Sequence, residues 1–230
     1  NKEQKMSDFK SKYGAWAVVA GASEGIGQAY AKGLANRGLN LVLIARRPEP
    51  LKETEQMVKN LGVEVKSLQL DLSSSEMLDK IDAETKNLNI GLMVYNAAYG
   101  PVRPFLSNTV EQLRQHTGVN CDGPMLLSHH FGKHFSEQGR GGIILMSSMA
   151  GFQGTAMVAP YAATKGFDTV LGEALHYELK SKGVDVMVCA AGATKTPNYL
   201  STEPQYGAMK PSELEPTTVA EGALNALGSR

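Results

Sequence analysis

Tyr161 and Lys165 stand four residues apart in Tyr161-Ala-Ala-Thr-Lys165. In a helix that spacing puts the phenol and the ammonium on one face, one turn apart. The positive charge then draws the phenol pKa down from about 10, toward a range where it exchanges a proton with a substrate oxygen. The spacing alone is common. Tyr206 and Lys210 repeat it, but Pro204 and Pro211 bracket that pair and no helix would hold it face to face. Tyr161 is distinguished by its company. Thirteen residues upstream, residues 142–148 read as an apolar strand that ends in two hydroxyls, Ser147 and Ser148; Asn96 and Gly192 each follow another apolar run. In a parallel sheet such positions share one edge, the carboxyl end of the strands, where sites of this architecture lie.

A second signal is the turn Gly21-Ala-Ser23-Glu24-Gly25-Ile26-Gly27, directly after an apolar run and at the start of a helical pattern. Glycines there permit a tight turn and close approach of backbone N–H groups to a pyrophosphate, whose charge the helix N-terminus favours. No Lys-Ser or Lys-Thr follows the last glycine, which argues against a nucleoside triphosphatase loop. The turn also fits G-x-S-x-G, with Ser23 as the nucleophile of a serine esterase and Asp168 and His176 as formal partners. One predicted strand precedes Ser23, so the earlier strand that carries the oxyanion loop of such hydrolases is missing. The second strand ends in Ala45-Arg46-Arg47 rather than in an acidic residue. A guanidinium in that place grips a 2′-phosphate through paired hydrogen bonds, which favours NADP(H) over NAD(H), with Arg46 the main contact and Ser23 a second donor. Two alternatives oppose this: a solvated arginine pair has the same appearance, and the Glu24 carboxylate would repel a 2′-phosphate unless turned away.

Six short Val/Ile/Leu-rich runs, near 15–20, 39–45, 63–70, 90–96, 142–147 and 184–190, must position these groups. They alternate with helical patterns near 25–37, 50–60, 75–87, 109–137 and 162–182. That alternation predicts an α/β fold, a doubly wound parallel sheet in a single three-layer α/β/α domain over 13–230. Pro124 should bend the long fourth helix near 120–123. Residues 1–12 read as a loose arm, and 194–216, with four prolines, as a loop over the substrate site. Basic and acidic residues number 23 each, for zero formal net charge, so no phosphate-seeking field points to nucleic acid. No apolar run approaches the roughly 18 residues of a membrane span. Cys121 and Cys189 suggest neither a disulfide framework nor a zinc site, and His129, His130 and His134 lack an H-E-x-x-H arrangement, so no metal is expected. The expected setting is cytoplasmic. Tyr99, Phe105, Met149, Phe152, Tyr199, Tyr206 and Met209 near the active edge tilt the substrate toward an apolar molecule.

Taken together in this order, the glycine turn, Asp71, Asn96-Ala-Ala, Asn120, Ser147-Ser148, Tyr161-x-x-x-Lys165, Gly192 and Thr196 resemble the short-chain dehydrogenase/reductase family over nearly the whole chain. The resemblance implies a Rossmann fold and hydride transfer between a nicotinamide cofactor and a secondary alcohol or ketone. Tyr161 would be general acid or base, Ser148 would hold the substrate oxygen, Lys165 the nicotinamide ribose, and Asn120 a water of the proton relay. Asp71 would meet the adenine, Asn96 the adenosine ribose region, and Thr196 the carboxamide. The family's Asn-Asn-Ala-Gly is Tyr95-Asn-Ala-Ala98 in this sequence, and its Pro-Gly after the sixth strand is Ala191-Gly192. It also implies a homodimer or homotetramer built on the fourth and fifth helices, and a seventh strand, which 230 residues ending at Arg230 do not include. A non-catalytic dinucleotide-binding regulator would use the same fold.

Overall fold

The computed structural model describes residues 2–203 and 212–229, with side chains from residue 8 onward. Its centre is one parallel sheet of six strands in the order β3-β2-β1-β4-β5-β6. These are β1 (Trp16–Ala20), β2 (Asn40–Ala45), β3 (Val65–Gln69), β4 (Ile90–Tyr95), β5 (Gly141–Ser148) and β6 (Val184–Ala191), one for each apolar run in the sequence. The order reverses between β1 and β4, which opens a crevice beyond their carboxyl ends. Register keeps that edge level, with Ala20 beside Ile44 on one side and Tyr95 on the other.

Alternate side chains of each strand feed two cores. Ala17 and Val19 pack with Tyr30, Leu34, Ala220 and Leu224, from helices α2 (Gly25–Ala35) and α9 (Pro216–Ala226). Val18 and Ala20 join Ile81, Phe131 and Phe135 on the opposite face, where α4 (Met77–Thr85) and α6 (Gly123–Gln138) lie. Burial of both faces explains why β1, β2, β4 and β5 are continuously apolar rather than alternating, whereas the edge strand β3 is mostly exposed. Helix α3 (Pro48–Lys59) follows β2, and α7 (Ala159–Lys180) connects to β6.

Three expectations change. The loose arm is a helix, α1 (Lys2–Tyr13). Tyr13 is 2% exposed, its hydroxyl donates to Asp185 at 2.7 Å, and Lys12 pairs with the same carboxylate at 2.6 Å. These contacts anchor the C-terminal end of the helix. The long fourth helix is three pieces: α5 (Val110–Thr117), a π-helical turn (Gly118–Asp122) and α6. Pro124 falls in the first turn of α6, directly after the π turn, so its missing N–H leaves a carbonyl of that turn without a helical partner. The stretch 194–216 contains a short helix, α8 (Pro197–Leu200), and is tied at its base by Lys195 N–H to Leu214 O and Leu214 N–H to Ala193 O, at 2.9 and 2.8 Å. Tyr206, Met209 and Lys210 lie outside the described residues. No helix among the described residues is long and apolar enough to cross a membrane.

Candidate active site

The glycine turn leaves β1 and opens α2. Gly21 and Gly25 hold φ of +83° and +57°, a region that side chains strain. A Cβ on Gly27 would stand 1.9 Å from Gly21 O and 2.7 Å from Asn96 Nδ2, so the helix enters closer to the turn than any other residue permits. Asn96, leaving β4, donates from Nδ2 to Gly21 O at 2.9 Å and from its backbone N–H to Ala20 O. It is a strut that holds the turn to the neighbouring strand across the crevice. Glu24 occupies the N-cap of α2 without a side-chain cap bond, which leaves first-turn N–H groups for an anion.

Glu24 is drawn aside: its carboxylate pairs with Arg47 at 2.6 Å. Arg46 is exposed beside it. Asp71, after β3, accepts from the backbone and hydroxyl of Ser73 at 2.9 and 2.7 Å. Against the desolvation of the carboxyl, those bonds and the Arg46 guanidinium hold it below the usual carboxylate range, so it stays an acceptor.

On the other side of the crevice, Ser147 and Ser148 both border the cavity but bond differently. Ser147 Oγ is buried, 2.7 Å from Lys165 O and 2.8 Å from Thr169 Oγ1, so it secures β5 to α7. Ser148 is the last residue of β5; its Oγ accepts from Ala150 N–H at 3.2 Å and lines the crevice. Asn120 spends its whole side chain on structure. Oδ1 accepts from Tyr99 N–H at 2.7 Å, and Nδ2 donates to Tyr99 O at 2.8 Å and Thr164 Oγ1 at 2.9 Å. Asn120 does not border the cavity. The phenol of Tyr95, where the family pattern has Asn, is buried and donates to Val119 O at 2.5 Å. It reaches across Gly123, whose Cβ would stand 2.0 Å from Tyr95 Oη, and ties β4 to the π turn. In the sequence Tyr95 stands out only as a departure from the family pattern, and no local signal marks this bond.

Lys165 is 2% exposed. Its Nζ donates to Met146 O at 2.7 Å and to Asp168 Oδ2 at 2.9 Å, and lies 5.9 Å from the centroid of the Tyr161 ring. Gly100 lets the loop after β4 lie against that ring, since a Cβ there would be 2.5 Å from Tyr161 Cδ2. The esterase arrangement does not form: Asp168 is committed to Lys165, and His176 Nδ1 sits 3.1 Å from Val186 O.

One cavity of about 1170 Å³ joins the two sides. Its walls include Gly21, Ser23, Gly25, Ile26, Arg46, Asp71, Asn96, Ser148, Tyr161, Lys165, Gly192 and Thr196, so all of the predicted cofactor-binding positions except Gly27 and all of the predicted catalytic ones except Asn120 reach it directly. Thr196, which caps α8, closes the cradle over Gly25, 2.8 Å from where its Cβ would be. Of the apolar candidates, Tyr99, Met149 and Tyr199 line the cavity, while Phe105 and Phe152 point to solvent, more than half exposed.

A parallel sheet with a glycine turn at its switch point and a Tyr/Ser/Lys cluster at the same edge defines a dinucleotide-dependent oxidoreductase. The chain belongs to the short-chain dehydrogenase family, whose model matches residues 15–207. It is 32% identical over 224 residues to the 7beta-hydroxysteroid dehydrogenase of Clostridium sardiniense, covering 97% of this chain and 86% of that one. Among solved structures it is similar to one described in a study of 7beta-hydroxysteroid dehydrogenase stereoselectivity, with a TM-score of 0.89, 31% identity and coverage of 96% and 87%. A short-chain dehydrogenase from Sphingobium yanoikuyae in complex with NADPH aligns with a TM-score of 0.83 at 28% identity, covering 92% and 83%. Members of this family use NAD(P), and the cradle fits such a group: glycines where a Cβ would block it, an uncapped helix start, and a cavity above the roughly 300–1,000 Å³ of a single-ligand pocket.

Proposed function

We propose that this chain is an NADP(H)-dependent oxidoreductase that interconverts a bulky apolar secondary alcohol and its ketone, with Tyr161 as general acid and base. The reading rests on the single cavity that Tyr161, Lys165 and Ser148 share with the glycine turn and Arg46. The cofactor supplies or accepts the hydride. The chain does the rest. Backbone groups of Gly25, Ile26 and Gly27 bind the pyrophosphate, and Arg46, with Ser23, takes the 2′-phosphate, Glu24 being occupied by Arg47. Asp71 and Asn96 meet the adenosine, Gly192 and Thr196 the carboxamide end. Tyr161 and Ser148 hold the substrate oxygen, and Lys165 orients the ribose.

Tyr99, Val102, Met149, Val158 and Tyr199 form an apolar wall of the cavity, and relatives are named for the 7beta-hydroxyl of steroids, so fused-ring alcohols and ketones are the first substrate class. Exposed Val110, Met125, Val170 and Tyr177 on α5, α6 and α7 support a homodimer or homotetramer through these helices. Two free thiols, Cys121 and Cys189, suit a reducing, cytoplasmic setting.

Titration of the purified protein with NADPH and NADH, read by bound-nicotinamide emission, tests the reading together with a panel of cyclic and steroidal ketones and alcohols. Tight NADPH binding, weak NADH binding and turnover of at least one panel member are expected. NADPH binding without turnover would favour a non-catalytic regulator, and binding of neither nucleotide would overturn the assignment.

A further inference from the structure

The Lys165–Asp168 pair is buried at the wall of the cavity, with side chains 3% and 2% exposed. An ion pair there is a weak source of stability, since desolvation of both groups offsets their attraction and well-packed apolar residues serve the fold as well. Its geometry has another consequence. Of the three N–H groups on Lys165 Nζ, one goes to Met146 O and one to Asp168 Oδ2, which leaves one for the cavity side, where the Tyr161 ring lies. Asp168 Oδ1 is buried and has no hydrogen-bond partner among the described residues.

The ionisable side chains that sense this pair come from two further places. Cys121 and Asp122 sit on the π turn and Tyr95 on β4. Burial, then Asp168, pushes the Cys121 thiol up to about 11 and the Tyr95 phenol well above its ordinary value, so both are neutral at neutral pH. Asp122 is exposed. β5 contributes the Met146 carbonyl and the Ser147 hydroxyl, neither of which titrates. Burial pushes the Asp168 carboxyl up, opposed by the charge and the hydrogen bond of Lys165, and among these groups Asp168 is the one buried carboxyl in contact with the ammonium.

We infer that Asp168 is a positioning residue for proton transfer: it fixes the Lys165 ammonium and cancels part of its charge at Tyr161, so the phenol exchanges its proton at a higher pH than Lys165 alone would set. The inference rests on the reading of Tyr161 given above. Removing the carboxylate charge strengthens the positive potential at Tyr161 and stabilises the phenolate. The Tyr161 midpoint falls, and the rising limb of alcohol oxidation, which needs the phenolate, moves to lower pH.

The test is Asp168→Asn. Phenolate absorbance is titrated in the wild type and the variant, each as a difference against the same protein carrying Tyr161→Phe, which isolates Tyr161 without any substrate. A fall in midpoint of about one pH unit is expected, with a matching shift in the pH profile of NADP-dependent oxidation of the best panel alcohol. Asp168→Glu, which restores the charge, should return the midpoint toward the wild-type value. An unchanged midpoint overturns the inference even if turnover drops. If Asp168→Asn does not fold, Asp168→Ser, with room for a water, carries the same titration, and an unchanged midpoint there overturns the inference equally. A shifted midpoint in a protein that turns over no panel member would uphold the effect on Tyr161 and sink the proposed function.

Discussion

The two sides of the crevice are built on opposite principles. The side fed by β1, β2 and β3 makes its site by withholding side chains. Gly21, Gly25 and Gly27 leave room, the start of α2 is uncapped, and the groups offered to a ligand are backbone N–H and a few residues at the rim. The side fed by β4, β5 and α7 makes its site by committing side chains. Asn120, Thr164, Ser147, Thr169, Asp168 and Lys165 are joined by hydrogen bonds of 2.7–3.1 Å, most of them out of water. A dinucleotide is bound along its length, and a vacated groove accommodates it. Proton transfer needs one phenol and one ammonium held to fractions of an ångström, which a buried network provides.

Breaking the committed side should affect rate, and breaking the vacated side should affect affinity. The largest effect expected is from Tyr161→Phe: turnover falls about 10²- to 10⁴-fold while the NADPH dissociation constant stays within about threefold. Steady-state rates beside a fluorescence titration give both numbers, and a proportionate loss of binding would erase the distinction. Next is Arg46→Ala. Loss of a charge-assisted pair with the 2′-phosphate weakens NADPH about 10- to 100-fold and leaves NADH nearly unchanged. Equal weakening of both nucleotides would place the 2′-phosphate elsewhere. The finest division runs between adjacent serines. Ser148→Ala is expected to lower turnover about tenfold at unchanged stability, whereas Ser147→Ala lowers stability by about 1–3 kcal/mol and leaves turnover within about threefold. Thermal unfolding and kinetics on the two variants decide it, and the opposite assignment follows if the effects are exchanged.

This contrast also explains what could be read from the sequence. The central strands β1, β2, β4 and β5, buried on both faces, are continuous apolar runs and legible as such, and a glycine turn between a strand and a helix carries its meaning in the residue types themselves. Networks are written in pairs far apart in the chain. Nothing near Tyr95 announces that its hydroxyl meets Val119 O, and the π turn it supports looked like a proline bend. Asp168 is legible in part: three residues after Lys165 on a helix, it shares a face with the ammonium, but the same residue also fits the acid of an esterase with His176. The loose-arm reading of residues 1–12 failed because one buried ring, Tyr13, and its bond to Asp185 lie at the end of a polar segment whose composition masks them.

Gly100 has a consequence for anyone who would alter what this protein accepts. The loop after β4 carries Tyr99 and Val102 into the cavity, which makes it a natural target for library design aimed at selectivity. Yet a single methyl at Gly100 would overlap the Tyr161 ring, and in a close-packed site that overlap is relieved by moving either the loop or the phenol. Flanking positions can vary without touching the ring, whereas any side chain at position 100 displaces either the loop or Tyr161, so a library is expected to keep this glycine fixed.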